Sequence, residues 1–324
     1  MLKVVFAGTP EFARVALEKI YNAGHQVVMV MTQPDRPAGR GMNLQASPVK
    51  QFALEKQIKV IQPTSLRLDG KYSAEAADAL KELSQCDFDV MVVAAYGLIL
   101  PKEVFEIAEK PNRAGCLNIH ASLLPRWRGA APIHRAIEAG DDVTGVAIIQ
   151  MELGLDTRPV ISSKQLAISE KETTASLHDS LATLGGEMIV EALNEYDRHK
   201  ELPSNAQEVD GITYAKKILK EEAKIDWALK AKTIDQKIRA FNPFPGASFE
   251  KAGVVIKVWF SSVSSVIKSK HLSGEILNIS RLGVEVATGS GSILLVELQK
   301  PGGKKISADQ LAQAMGWQVG DVLN

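Results

Sequence analysis

The first thirty residues change pattern twice. Lys3 to Ala7 is a short apolar run that stops at Gly8-Thr9-Pro10, and Gln26 to Met31 is a second such run. Between them, Phe12, Val15, Ala16 and Ile20 recur at helical spacing. Continuous short apolar runs suit strands covered on both faces, and a 3.6-residue recurrence suits a helix with one buried side. Strand, helix, strand in that order predicts a βαβ unit and a parallel sheet. The same pattern continues with a helix over 49–57, a short strand over 59–61 and a helix over 73–83. Asp89-Val90-Met91-Val92-Val93-Ala94 is the strongest buried-strand signal of the chain. A helix over 132–139 and an alternating strand over 144–151 come next. A long helix over 174–196 then carries Leu177, Leu181, Leu184, Met188, Ile189 and Leu193 on one stripe. Gly185-Gly186 is expected to weaken its middle.

A dinucleotide site would need Gly-x-Gly-x-x-Gly after the first strand, and only Gly8 stands there. The first part is therefore read as α/β, Rossmann-like, with a mostly parallel sheet and no dinucleotide fingerprint. Residues 32–48 hold two prolines and two glycines between 33 and 44 and are expected to be one long irregular loop. The polar stretch 197–210, with Pro203, is read as a linker, dividing the chain into 1–203 and 204–324. Short strands over 254–260, 274–279, 284–287 and 293–298, separated by turn residues, predict a small β-barrel in the second part.

Composition changes this picture little. The chain has 324 residues, 45% apolar and 23% charged, room for two ordinary globular domains. Lys and Arg balance Asp and Glu at 38 each, which argues against a strongly basic nucleic-acid binder. The balance is uneven, because residues 204–324 hold 16 Lys and Arg against 12 Asp and Glu, a surplus of +4. Eight basic residues fall in 212–241, read as a solvated charged face. Cys86 and Cys116 give neither a disulfide framework nor a metal-ligand spacing, so a reducing cytoplasm and no metal are expected. The opening apolar run is too short for a signal peptide or a membrane span.

The chemistry concentrates in Cys116 to Gly129, which reads Cys-Leu-Asn-Ile-His-Ala-Ser-Leu-Leu-Pro-Arg-Trp-Arg-Gly. Asn118 and His120 stand two apart in a short strand and so share a face. An amide donor beside an imidazole suits a carbonyl oxygen that becomes negative during acyl transfer. A single histidine at a strand end is more often a satisfied structural residue, and an aspartate in a glycine-containing turn such as Gly154-Leu155-Asp156 is more often a turn former.

The run Asn118-x-His120, then Ser122-Leu123-Leu124-Pro125, then the later Leu155-Asp156 pair, resembles the folate-dependent formyltransferase family. Arg126-Trp127-Arg128-Gly129-Ala130-Ala131-Pro132-Ile133 resembles the branch of that family whose acceptor is initiator methionyl-tRNA. The resemblance spans nearly the whole chain. It implies 10-formyltetrahydrofolate as co-substrate, and Asn118, His120 and Asp156 as the catalytic group. It places the pterin against Leu98, Ile99 and Leu100, with Ser122, Leu123, Leu124 and Pro125 beside it. It makes Arg36 and Arg40 contacts to the tRNA acceptor end. The turn 241–246 and the stretch 299–305 resemble the family's C-terminal OB-like domain, which implies a tRNA-holding role for 204–324 in a monomeric enzyme. Met42 and Asn43 stand where further lysines are common, and Arg158 where glycine is usual; the sequence offers no physical account of Arg158. Formyl transfer to glycinamide ribonucleotide or an amino sugar, and formylfolate hydrolysis, could use the same three polar residues. A non-catalytic RNA-binding protein and a generic nucleotide-binding protein are the rivals of other classes.

Overall fold

The computed structural model describes residues 1–38, 43–152, 159–208, 210–264 and 271–324. It forms two compact units. The first gathers Met1–Gly129, Gly145–Leu166 and His178–Tyr214, and the second Ala130–Thr144, Ala167–Leu177 and Ala215–Asn324.

Through the first unit the chain runs β1 (Lys3–Gly8), α1 (Glu11–Asn22), β2 (Gln26–Met31), β3 (Arg36–Ala38), β4 (Asn43–Gln45), α2 (Pro48–Glu55) and β5 (Val60–Ile61). It continues with α3 (Ser73–Gln85), β6 (Val90–Ala94), α4 (Lys102–Ala108), β7 (Cys116–His120) and β8 (Arg128–Gly129). Then follow α5 (Pro132–Ala139), which belongs to the second unit, and β9 (Val143–Gln150), β10 (Val160–Ala167), α6 (Thr174–His199) and β11 (Tyr214–Ala215). The main sheet has seven strands in the order β10-β9-β7-β6-β1-β2-β5. β5, β2, β1, β6 and β7 pair in parallel, and β9 joins β7 antiparallel. The mostly parallel, Rossmann-like sheet expected from the apolar runs is present.

One face of this sheet packs on α3 and α4: Val5, Met29, Met91 and Val93 share a core with Leu80, Leu83, Val104 and Phe105. The single glycine of the first turn serves packing. A Cβ on Gly8 would lie 2.6 Å from Ala13 Cβ and 2.9 Å from the Ala94 carbonyl oxygen. Gly185-Gly186 does not interrupt α6, which runs unbroken across it. A Cβ on Gly185 would stand 2.7 Å from Ile119 Cγ2, and one on Gly186 would stand 3.4 Å from Ala16 Cα. The pair trades helix propensity for close approach to β7 and α1, a choice that local propensity cannot show.

Three further expectations are corrected. Residues 32–48 are not wholly irregular, because β3 and β4 form an antiparallel pair with Pro37 opposite Leu44. Proline is tolerated there because a two-stranded ribbon is all edge. β9 is buried along most of its length instead of alternating, since it lies inside the sheet between β10 and β7. The seven-residue helices α4 and, in the second unit, Ala308–Ala314 were not foreseen, being short, and neither was β10, whose half-buried and exposed polar residues give no clear alternation.

The second unit holds α5, a 3₁₀ turn at Lys220–Ala223, α7 (Ala231–Ala240), β12 (Ser248–Lys251), β13 (Val254–Ser264), β14 (Ile276–Ser280), β15 (Gly283–Ala287), β16 (Ser292–Gln299), β17 (Ile306–Ser307) and α8 (Ala308–Ala314). Its sheet runs β12-β13-β16-β15-β14 with β17 on β16, and every pair is antiparallel. Phe249 packs between Trp227 and Trp317, with ring centroids 5.7 and 5.9 Å away. The basic stretch 212–241 is only partly a solvated face. Arg239 bonds Asp235 at 2.9 Å and the Glu172 carbonyl at 3.1 Å, and Lys237 donates to the Lys224 carbonyl at 2.8 Å. Burial lowers the pKa of the Lys237 ammonium.

Candidate active site

In an open parallel sheet ligands bind beyond the carboxyl ends of the strands. Val93 of β6 pairs with Asn118 of β7, so the residues that leave these strands emerge side by side. The β6 exit turns at once, with Ala95 at φ 44°, a left-handed conformation that costs a non-glycine residue energy. The Tyr96 carbonyl then accepts from Thr9 Oγ1 and from Gln33 Nε2, each at 2.9 Å. These bonds tie the exits of β1, β2 and β6 together. Tyr96 packs its ring into the core, and burial raises the pKa of its hydroxyl. Leu98 is half-buried, Leu100 buried, and Ile99 70% exposed. An apolar side chain this exposed, between two packed leucines at a strand exit, suits the flat face of a bound ring.

The β2 exit is fixed by polar contacts. Asp35 receives Lys50 Nζ at 2.7 Å and Gln62 Nε2 at 2.8 Å, and the lysine bond, then the amide, lowers its carboxyl pKa. Arg36, exposed on β3, hydrogen-bonds Gln33. Arg40 and Met42 lie outside the described residues, while Asn43 is exposed on β4.

On β7, Asn118 and His120 share a face with Cys116, as the alternation predicts. Asn118 is half-buried, and among the described residues its side-chain amide has no hydrogen-bond partner. It is thus a donor available to a ligand. His120 is 5% exposed, with Nε2 3.0 Å from the Trp127 carbonyl oxygen. A carbonyl only accepts, so Nε2 carries the hydrogen in that bond. Cys116 is fully buried and its thiol is pushed up to about 12 by burial, which removes it as a nucleophile.

The loop after β7 is built from its own polar groups. Ser122, fully buried, donates from Oγ to the Arg126 carbonyl at 2.7 Å, and Arg126 N–H donates to the Leu123 carbonyl at 3.1 Å. Leu123, Leu124 and Pro125 are half-buried at its turn. The Arg126 guanidinium stacks 4.3 Å from the Trp127 ring. Arg128 is only 6% exposed and sends Nε and Nη2 to Gln207 Oε1 at 3.2 and 2.7 Å. The stretch first read as linker therefore contributes contacts to this loop. Asp156 and its neighbours Gly154, Leu155 and Arg158 lie outside the described residues. Thr9, Gln33, Gln207 and Thr213 escaped the sequence reading, since each meets its partner only through the fold and none carries a local motif.

Among the described residues no group of three or more His, Cys, Asp or Glu could hold a metal, and no helix is long and apolar enough to cross a membrane. A half-buried amide and a buried imidazole on β7 thus stand next to the apolar exit of β6. Residues 2–193 match the formyl transferase model and residues 217–316 the formyl transferase C-terminal domain, so the chain belongs to the formyl transferase family. It is 54% identical over 320 residues to the methionyl-tRNA formyltransferase of Polynucleobacter necessarius subsp. necessarius, covering 97% of this chain and 96% of that one. It is 57% identical over 309 residues to the methionyl-tRNA formyltransferase of Janthinobacterium sp. (strain Marseille), covering 95% of each. The fold is similar to the crystal structure of HypX from Aquifex aeolicus in complex with tetrahydrofolic acid, with a TM-score of 0.61 and 16% identity. That match covers all of this chain and 50% of HypX, so the chain spans half the length of that protein.

Proposed function

We propose that this chain transfers the formyl group of 10-formyltetrahydrofolate to the α-amine of methionine on initiator methionyl-tRNA, the step that readies this tRNA for translation initiation. The observation that carries the proposal is full-length identity of 54% to a methionyl-tRNA formyltransferase.

In this reading the pterin rests on Leu98, Ile99 and Leu100, with Ser122, Leu123, Leu124 and Pro125 closing the other side. The exposed Ile99 and the self-bonded 122–126 loop support that placement. The methionyl amine attacks the formyl carbon, a carbon–nitrogen bond forms, and the carbonyl oxygen becomes negative. Asn118 donates to that oxygen, and His120 does so from Nδ1 once its ring is charged, since Nε2–H is held by the Trp127 carbonyl. The formyl carbon then separates from the folate nitrogen, which takes up a proton as the amine loses one. Asp156 orients or charges His120 and helps move that proton, directly or through one water. Arg36 and Arg40 reach phosphates of the tRNA acceptor end. Residues 1–203 form the catalytic domain, a linker spans about 197–210, and 204–324 hold the tRNA body. The enzyme works as a monomer in the cytoplasm, where its two substrates meet.

The test is to incubate the protein with charged initiator tRNA and 10-formyltetrahydrofolate and to score formyl-methionine. Formylation that requires the charged tRNA is the expected outcome. Deformylation of the folate without tRNA, or formylation of an amino-sugar nucleotide or glycinamide ribonucleotide in its place, overturns the proposal.

A further inference from the structure

The His120 ring is held by a peptide group, and a residue distant in sequence holds that group in turn. The Trp127 carbonyl, which meets His120 Nε2 at 3.0 Å, belongs to the Trp127–Arg128 peptide. The N–H of the same peptide, on Arg128, donates to the Thr213 carbonyl at 2.9 Å. In a trans peptide the N–H and C=O point in opposite directions, so Thr213 and His120 grip opposite edges of one plane. Thr213 also takes the preceding N–H, that of Trp127, on its Oγ1 at 2.9 Å. Trp127 sits at φ 63°, a conformation that a bulky residue leaves unless its surroundings hold it. The buried Arg128 side chain anchors the same residue to Gln207 Oε1.

We infer that Thr213 and Gln207 are positioning residues for His120. The Thr213 carbonyl holds the N–H of the 127–128 peptide, its hydroxyl holds Trp127 at the left-handed φ that aims the carbonyl at His120, and Gln207 acts through the Arg128 guanidinium. The fixed carbonyl holds the Nε2 edge of the His120 ring and keeps a hydrogen on that nitrogen. Hydrogen bonds in series polarise one another, so an ordered donor at one end strengthens the acceptor offered at the other. The inference rests on the catalytic role proposed above for His120, and it extends the site to two residues that no local motif marks.

Three variants test it in the full chain. Thr213→Val keeps the side chain's shape and removes the hydroxyl, Thr213→Ser keeps the hydroxyl, and Gln207→Leu, at a half-buried position, removes the amide. With 10-formyltetrahydrofolate and methionyl-tRNA, Thr213→Val is expected to lower kcat about tenfold, the scale of a displaced catalytic group, with KM for both substrates little changed. Thr213→Ser is expected to retain most of kcat, and Gln207→Leu to lose about threefold, again in kcat. Nitrogen-15 NMR of histidine-labelled protein reads the tautomer directly. His120 should be protonated on Nε2 in the parent and should mix tautomers in Thr213→Val. A kcat within twofold of the parent in Thr213→Val overturns the inference. So does a fall in kcat with an unchanged His120 tautomer, or a Thr213→Ser variant as impaired as Thr213→Val. If Thr213→Val does not fold, the kcat and tautomer of Gln207→Leu decide. If the parent formylates no methionyl-tRNA, the proposed function fails, and the NMR arm still decides the positioning role.

Discussion

The two units use polar side chains differently. In the first, the polar contacts near the sheet's carboxyl edge fix loops: Thr9 and Gln33 hold the Tyr96 carbonyl, and Ser122 holds the Arg126 carbonyl. The Asn118 amide, half-buried on β7, is left with no partner among the described residues. In the second unit, charged side chains meet one another in two clusters. Arg135 of α5 bonds Glu222 through two nitrogens at 2.8 and 3.1 Å and Glu138 at 2.6 Å. Asp235 of α7 takes Arg239 at 2.9 Å and Ser261 Oγ at 2.7 Å. A group committed to its neighbour stabilises structure. A group held in place with bonding capacity to spare can act on a substrate. The first unit should therefore be sensitive in rate and the second in stability.

The largest expected effect tests the first half of that contrast. His120→Ala, Asn118→Ala and Asp156→Ala should each lower kcat by roughly 10²-fold or more, the scale of one lost oxyanion or acid–base group. The melting temperature of Asn118→Ala should stay close to the parent's. Near-normal kcat at saturating folate in any of the three would remove that residue from the catalytic group. Ile99→Ser comes next, and should raise KM for 10-formyltetrahydrofolate about tenfold, since covering one aliphatic side chain contributes roughly 1.5–3 kcal/mol. Because Ile99 is 70% exposed, stability should not change. A lowered melting temperature with unchanged KM would make Ile99 a packing residue.

Arg40→Ala should lower kcat/KM for tRNA about fivefold and leave folate binding, read by fluorescence titration, as in the parent. An equal loss of folate affinity would move Arg40 into the folate site. The smallest effect belongs to the second unit. Glu222→Gln should cost about 1 kcal/mol of stability, as expected for a partly exposed ion pair, and leave kcat unchanged. Its hydrogen bond with Arg135 is the largest cause of a lowered carboxyl pKa. A carboxylate depressed on folding stabilises the fold fully above its unfolded value of about 4.3, and the contribution is lost as pH falls through the lower folded value. The melting-temperature gap between parent and Glu222→Gln should hold constant at neutral pH and close on acidification. A gap that widens in acid would show that Glu222 is not the charged partner of Arg135.

The sequence determined the βαβ opening, the buried strand ending at Ala94, and the common face of Asn118 and His120, because each follows from spacing along a few residues. It also delivered the family, because a linear motif of residues 116–133 carries the resemblance. It could not deliver the partners of that motif. Thr213 meets Trp127 across 86 positions and Gln207 meets Arg128 across 79, and no local pattern records either distance. Gly185 shows the same limit: helix propensity counts it as a defect, and only the packed sheet reveals that Ile119 needs the space. Lys237 and Arg239 read as surface charge until the fold supplied a carbonyl and a carboxylate for them. Periodicity reports which side of an element is buried. What lies on the buried side is decided when distant segments meet, and there the tertiary structure alone set the orientation of the histidine.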